Sequence, residues 1–573
     1  MVYNQYKKTL EASLGKAPAD LVLKGGQVLN VFSGEILACD VAITGDRIVG
    51  LGQGYEGKQE VDVTGKFLAP GFIDAHMHIE SSMMTPEHLS TMVVPWGTTT
   101  LIADPHEIAN VLGAKGVEYI LEHTENLPVN VFVMLPSCVP STEFETNGAT
   151  LSAAEMKKLR GHKRVLGLGE VMDYVSVVGG SRQMYDKLQL FGDRMIDGHA
   201  PKLSGKELQA YRLAGVRSDH ECRDYKEGLE KIRAGLWILV REGSAARNLD
   251  DLISGFLRDN VDLSRCMFCT DDKSIEDIYK FGHISYNIRR SIELGVPPVT
   301  AYKMATLNPA LCYGFRDIGA IGPGYRADIV VLDDFETVQV DSVWHSGKLV
   351  SSKSVPVEIP VNPSGIDVTG TIKIPKLTKD DLAIRLKTPT VPVIQLVDYQ
   401  ILTKRVTATV KTDESGCFVP DRRYQKLAVI ERHHETGNIG LGIIEGFNLT
   451  NCAIAATVAH DSHNLIVVGD NDRDMLAACK ELKRCGGGYT IVSDGKPIAT
   501  LELPLAGMMS RLHPKDIQEK FSYMISTARS FGVPVTVEPY MTLSFMALPV
   551  IPELRVTDMG LFDVTEFRFL DWK

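Results

Sequence analysis

Short apolar runs alternate with helical stretches through the middle of the chain. Eight runs stand out, ending near His78 (GFIDAHMH), Asp104 (TTTLIAD), Leu135 (VNVFVML), Glu170 (VLGLGE), His199 (RMIDGHA), His220 (GVRSDH), Val240 (GLWILV) and Asp271 (CMFCTD). Helical patterns lie between several of them, and Ser204-Gly205-Lys206-Glu207 ahead of LQAYRLAG has the spacing of a capping box. This alternation marks βα units around a parallel sheet. The span from about residue 72 to 315 suits a (β/α)8 TIM-like barrel, which typically takes about 250 residues.

The rhythm changes on both flanks. Leu21-Val22-Leu23, Val28-Leu29, Val41-Ala42-Ile43 and Ile48-Val49 are separated by Gly-Gly, Ser-Gly and Gly-Asp turns and read as short antiparallel strands. Ala327–Leu332 and Val343–Gly347 continue that pattern after the barrel, so one small β-domain built from both flanks is expected. Further on, Met475–Arg484 reads as a helix ending at Gly486-Gly487-Gly488. Tyr489–Val492 and Ile498–Leu501 read as strands around Ser493-Asp494-Gly495, and Pro514–Ser530 as a helix. The expected fold class is therefore α/β, with a C-terminal α+β domain added. The small β-domain would take residues 1–70 and 316–362, the barrel 71–315 and the C-terminal domain 363–573.

With 573 residues the chain exceeds what one hydrophobic core supports, in keeping with that division. A net charge of -11 argues against nucleic-acid or anionic-membrane partners. No run of about 18 apolar residues and no signal-peptide-like start are found, and ten scattered cysteines suit reduced thiols, so a cytoplasmic location is expected. Cys266-Met267-Phe268-Cys269 reads as part of an apolar strand, since no second pair lies near it to complete a zinc site.

The chemistry stands at the strand ends. Barrel enzymes react at the C-terminal ends of their strands, and there the chain places His76, His78, Glu170, His199, His220 and Asp271. Residues i and i+2 on a strand face the same way, so both imidazoles of His76-Met77-His78 can share a metal. Nitrogen and carboxylate donors suit Zn, Mn or Fe(II). Six donors exceed the three that hold a single catalytic zinc; two divalent metals bridged by Glu170 and a hydroxide account for the number. Each residue has an ordinary structural alternative: a hydrogen-bonded histidine, a helix cap, a carboxylate paired with arginine. All six at strand ends together are not explained that way. Asp271 would take the proton of the attacking hydroxide and pass it to the leaving group. Glu80, Asp104, His106 and Glu107 follow the first two strands, and are read either as acids for the substrate ring or as supports for the ligands. Asp272 should face away from Asp271. His460-Asp461-Ser462-His463 reads first as a turn after a strand, with a reach to the active site of its own or a neighbouring subunit left open; His433-His434 reads as an exposed loop.

Pro70-Gly71-Phe72-Ile73-Asp74-Ala75-His76-Met77-His78 resembles the opening metal motif of the amidohydrolase superfamily, with Glu170 standing where that superfamily often has a bridging carbamylated lysine. A closer resemblance is to the bacterial adenine deaminases, carried by HIESS at 78–82, DPHE at 104–107, GEVM at 169–172, DGHAP at 197–201, SDHE at 218–221, CTDD at 269–272 and AHDSHN at 459–464. It covers nearly the whole chain. The resemblance implies hydrolysis of adenine to hypoxanthine and ammonia, and the six strand-end residues as ligands of a binuclear centre of Mn2+ or Fe2+, with Zn2+ a further option. We expect a homo-oligomer acting on a small purine base. The rivals are a cyclic amidohydrolase opening a lactam or ureide, and an inactive scaffold on the same fold, which would be expected to have lost ligands. The zinc deaminases with H-x-E and P-C-x-x-C are excluded, because Arg265 and not proline precedes Cys266.

Overall fold

Eight buried strands form the centre of the chain: β6 (Phe72–Met77), β7 (Thr98–Ala103), β8 (Asn130–Leu135), β9 (Val165–Val171), β10 (Met195–Gly198), β11 (Ser218–Asp219), β12 (Trp237–Arg241) and β13 (Cys266–Cys269). The computed structural model describes residues 3–244, 246–359 and 365–573. Strands β6 to β10 pair in parallel, as do β11 to β13. Arg217 N–H, just ahead of β11, donates to the Ile196 carbonyl of β10 at 2.9 Å, and Met77 bridges Asp271 in parallel, so the ring closes as a (β/α)8 barrel. Ile73, Ala75, Ile102, Met134, Leu239 and Met267 fill its interior. Ser204 precedes the helix Gly205–Leu213 but makes no side-chain cap, contrary to its capping-box spacing. Gly205 sits at φ +57 and its N–H goes to Glu230 instead, which turns the helix start away from the box geometry.

Both flanks of the barrel build one sheet. Strands β1 (Ala19–Asn30), β2 (Glu35–Thr44), β3 (Arg47–Gly52), β4 (Gly57–Asp62) and β5 (Phe67–Pro70) precede the barrel, and β14 (Ile329–Asp334), β15 (Gln339–His345) and β16 (Lys348–Ser352) follow it. The order is β16-β15-β14-β5-β1-β2-β3, with β4 beside β1. Two expectations are corrected. Leu21–Leu23 and Val28-Leu29 belong to one strand, and β1 runs parallel to β4 and β5 while antiparallel to β2. Gly25-Gly26 is an irregularity within that strand and not a turn. A Cβ on Gly26 would lie 1.9 Å from Leu68 Cδ1, so a larger residue there would displace the buried Leu68 side chain of β5.

The remainder holds an eight-stranded sheet, a small antiparallel sheet of three strands (Leu554–Thr557, Gly560–Asp563 and Arg568–Phe569) and helices. The strands of the larger sheet are β17 (Thr390–Leu396), β18 (Thr403–Thr409), β19 (Tyr424–Ile430), β20 (Ile439–Glu445), β21 (Ala453–Ala456), β22 (Leu465–Gly469), β23 (Gly488–Ser493) and β24 (Lys496–Glu502), in the order β18-β17-β20-β19-β22-β21-β23-β24. The helix Asp472–Cys485 is capped by Asn471, whose side chain accepts from Asp474 N–H, and ends at Gly486 with φ 82. The helix Pro514–Ser530 opens with proline at its first turn. The expected boundary between residues 362 and 363 lies outside the described residues.

This C-terminal unit is fused to the barrel. One contiguous apolar cluster joins Ile108 and Leu151 of the barrel segment to Val429 and Ile454 of the second sheet. The loop after β8 adds directional contacts: Thr146 N–H and Oγ1 donate to Asp558 at 2.9 and 2.6 Å, and Phe144 packs on Phe562 with ring centroids 4.8 Å apart. His433, expected in an exposed loop, is buried, its Nε2 2.8 Å from the Ser462 carbonyl; only His434 is exposed. The cause is the same seam, which covers residue 433.

Candidate active site and metal centre

His76 and His78 reach the barrel mouth through a break in strand alternation. Ile73 and Ala75 line the barrel interior, so strict alternation would turn His76 outward. A register shift between Asp74 and Met77 resets the phase. The two imidazoles then stand 4.8 Å apart, centroid to centroid. Asp74 fixes this corner, accepting from His76 N–H at 3.3 Å and Thr270 N–H at 3.1 Å. Asp271 itself takes φ 56, a left-handed conformation that Asp tolerates better than most residues. Its N–H thereby reaches the His76 carbonyl at 2.9 Å.

All six strand-end residues meet. Asp271 Oδ1 is 3.3 Å from His76 Nε2 and 3.0 Å from His78 Nε2. Glu170 faces two ways: Oε1 lies 3.4 Å from His78 Nε2 and 3.0 Å from His106 Nδ1, while Oε2 lies 2.7 Å from His199 Nδ1 and 3.2 Å from His220 Nε2. A carboxylate bridging two cations needs this division. His78 Nδ1 is 2.8 Å from the Asp104 carbonyl, which sets the proton there and turns Nε2 inward as an acceptor. Donor atoms of His76, Glu170 and His220, of His76, His78 and Asp271, and of His78, His106 and Glu170 each lie within 4.8 Å of one another.

His76 Nε2, His106 Nδ1, His220 Nε2 and Glu170 Oε1 are buried and hydrogen-bond to no protein group. Leaving one such atom unsatisfied costs about 1–3 kcal/mol. Four around one space fit cations and fit an apolar core badly. Burial takes His76 down to about 4. For His199 burial acts the same way, but the Glu221 and Glu170 carboxylates outweigh it and raise the group to about 9.

Of the residues after the first two strands, His106 joins the donor cluster, with His78 and Glu170. Asp104 Oδ2 accepts from Glu170 N–H at 2.9 Å, and Glu80 Oε1 from Ile108 N–H at 3.1 Å. Glu107 is taken up by the C-terminal unit: its Oε1 is 2.6 Å from His460 Nδ1, and its Oε2 contacts His463 Nε2. The segment 460–463 is a turn after β21, and it reaches this site within its own chain. Asp272 accepts from Ser81 Oγ.

Residues 400–568 match the adenine deaminase C-terminal domain, and residues 67–350 the amidohydrolase family. The chain is 49% identical over 564 residues to a protein named adenine deaminase from Desulfitobacterium hafniense (strain Y51), covering 98% of both chains. It is 47% identical over 570 residues to one of the same name from Clostridium acetobutylicum, covering 98% of this chain and 99% of that one. The chain belongs to the adenine deaminase family. Among solved structures, one described as an adenine deaminase aligns with 58% of this chain and 99% of its own, at 15% identity and TM-score 0.46.

Two residues that this member of the adenine deaminase family brings to the site were not singled out from sequence. Arg241, at the end of β12, places Nη1 2.7 Å from Asp271 Oδ2 and also contacts Glu221. Glu221 Oε1 in turn lies 3.7 Å from His220 Nε2. The available signal was a lone arginine closing the apolar run WILVR, at the one late strand end without a ligand.

Proposed function

We propose that the chain is an adenine aminohydrolase, converting adenine and water to hypoxanthine and ammonia. The observation that carries this reading is 49% identity along 98% of the chain to a protein named adenine deaminase. The donor cluster supports it independently, since hydrolytic attack on an aromatic amidine carbon needs an activated water. His76, His78, Glu170, His199, His220 and Asp271 would hold two divalent metals, Mn2+ or Fe2+ in this reading, with Glu170 between them. Such ions supply Lewis acidity and bring the pKa of water from 15.7 towards about 7.

The protein's own part is orientation and proton movement. Arg241 holds Asp271 Oδ2 at 2.7 Å, so the carboxylate cannot rotate away from the reacting water. Asp271 takes the water proton and passes it to the amino nitrogen leaving C6. Ten unpaired cysteines support a cytoplasmic setting, and among the described residues no helix is long and apolar enough to cross a membrane.

Mn-loaded protein, assayed with adenine, adenosine, guanine, cytosine and dihydroorotate, tests the assignment. We expect loss of adenine absorbance with one ammonia released per adenine, and close to two metals per chain by elemental analysis. Equal or faster turnover of adenosine or dihydroorotate would overturn the substrate. Fewer than one metal in fully loaded, active protein would overturn the binuclear centre.

A further inference from the structure

A cavity of about 120 Å³ lies between the barrel mouth and the C-terminal unit. Ser81 and Asp272 stand on its barrel side, three residues beyond His78 and one beyond Asp271, together with Met83, Ser244, Ser274 and Glu276. His460, Tyr489 and Phe545 come from the other side; the remaining lining residues divide between apolar and polar, Glu276 and Glu538 among the latter, while most of the exposed wall surface is apolar. Apolar walls with a few placed polar groups are the usual form of a small-molecule site.

His460 is built into that wall. Its Nδ1 is 2.6 Å from Glu107 Oε1, and its ring stacks on Phe545 with centroids 4.6 Å apart and an interplanar angle of 24°. Among the described residues, nothing hydrogen-bonds its Nε2. His463 offers an internal comparison: it binds the other oxygen of the same carboxylate, and its side chain is 1% exposed against 12% for His460. One imidazole would suffice to tie the C-terminal unit to Glu107. The second is fixed at one nitrogen and open at the other, at the edge of a cavity that adjoins the metal-binding strands.

We propose that this cavity seats the purine ring and that His460 hydrogen-bonds a ring nitrogen of the base through Nε2, with Glu107 as its positioning residue and Phe545 as its backing. The proposal rests on the adenine reading and extends it: the C-terminal unit completes the substrate site. Ser81 and Asp272 then face the same base from the barrel side.

The test is His460→Gln in the Mn-loaded full chain, read by adenine KM, kcat, metal content and inhibition by purine, which lacks the 6-amino group. The expected result is full metal, a Ki for purine and a KM for adenine raised about tenfold or more, and a smaller change in kcat; one lost hydrogen bond is of that size. Purine Ki within twofold of wild type would overturn the proposal. So would a loss of metal and kcat in step with KM, because a purely structural clamp does that. If His460→Gln does not fold, Phe545→Leu is decisive in its place: a rise of at least fivefold in purine Ki supports the seat, and an unchanged Ki overturns it. Wild-type protein without adenine turnover would instead reject the underlying activity, so the two failures are distinguishable.

Discussion

At Asp271 several weak constraints together fix one side chain. The end of β13 sets its position, the left-handed φ sets its direction, and Arg241 holds the oxygen that faces away from the imidazoles. Asp271→Asn keeps the size and removes the basicity. We expect turnover to fall about 10²–10⁴-fold, the usual worth of general acid–base help. Near-normal turnover of this variant with full metal content would remove Asp271 from proton transfer. That the six strand-end residues would stand together could be read from the sequence, because ligand-type residues at successive strand ends are rare by chance. Arg241 and Glu221 could not, because an arginine closing a strand or a glutamate in a loop is ordinary until its partners are known. The direction of His76 was also hidden: i and i+2 parity names a pair, but the register shift after Asp74 decides which way the pair faces.

At the scale of elements, most barrel strands could be placed from hydrophobic runs, since a strand buried on both faces has few polar positions, whereas the two-residue β11 (Ser218–Asp219) carries no such run. β1 was harder. Gly25-Gly26 has the composition of a hairpin turn, but with Gly25 at φ +73 it is a register shift inside a strand, packed against Leu68. Ser204 failed for a related reason, the left-handed backbone at Gly205 (φ +57) turning the helix start away from the box geometry. The loop after β8 is an element whose purpose appears only in three dimensions. Phe144 sits in an aromatic group with Phe562, Phe567 and Phe569. Fully buried Phe→Ala changes cost about 3–5 kcal/mol. Phe144 is half-buried, so Phe144→Ala should cost less, about 1–2 kcal/mol. The expected result is a lower thermal midpoint and faster proteolysis of the C-terminal strands, with metal content unchanged. An unaltered midpoint would show that this contact does not hold the two units together.

For the whole molecule, the seam between barrel and C-terminal unit matters more than either unit's outline. It buries Glu107, His463, Asp461 and Glu145 together, a density of charge that no hydrophobic pattern announces. Glu145 records what that burial costs. One oxygen accepts from Ser141 Oγ at 3.0 Å and the other hydrogen-bonds to no protein group, while Asp461, Ser462 and Asp558 are the groups facing it. Burial first, and then the neighbouring Asp461, raise its carboxyl to about 8. A carboxyl raised in the folded state keeps a proton that the unfolded chain releases near 4.5. Between those two values the folded state binds more protons than the unfolded one, so stability falls as pH rises through that window. Below it both states are protonated and no penalty arises. Every tenfold difference in proton affinity between the two states corresponds to about 1.4 kcal/mol. Glu145→Gln removes the titration and keeps the shape. We therefore expect its thermal midpoint to lie close to wild type near pH 4.5 and to rise progressively above wild type towards pH 8. A difference between the two proteins that stays constant across that range would show that Glu145 is ionised at the seam throughout.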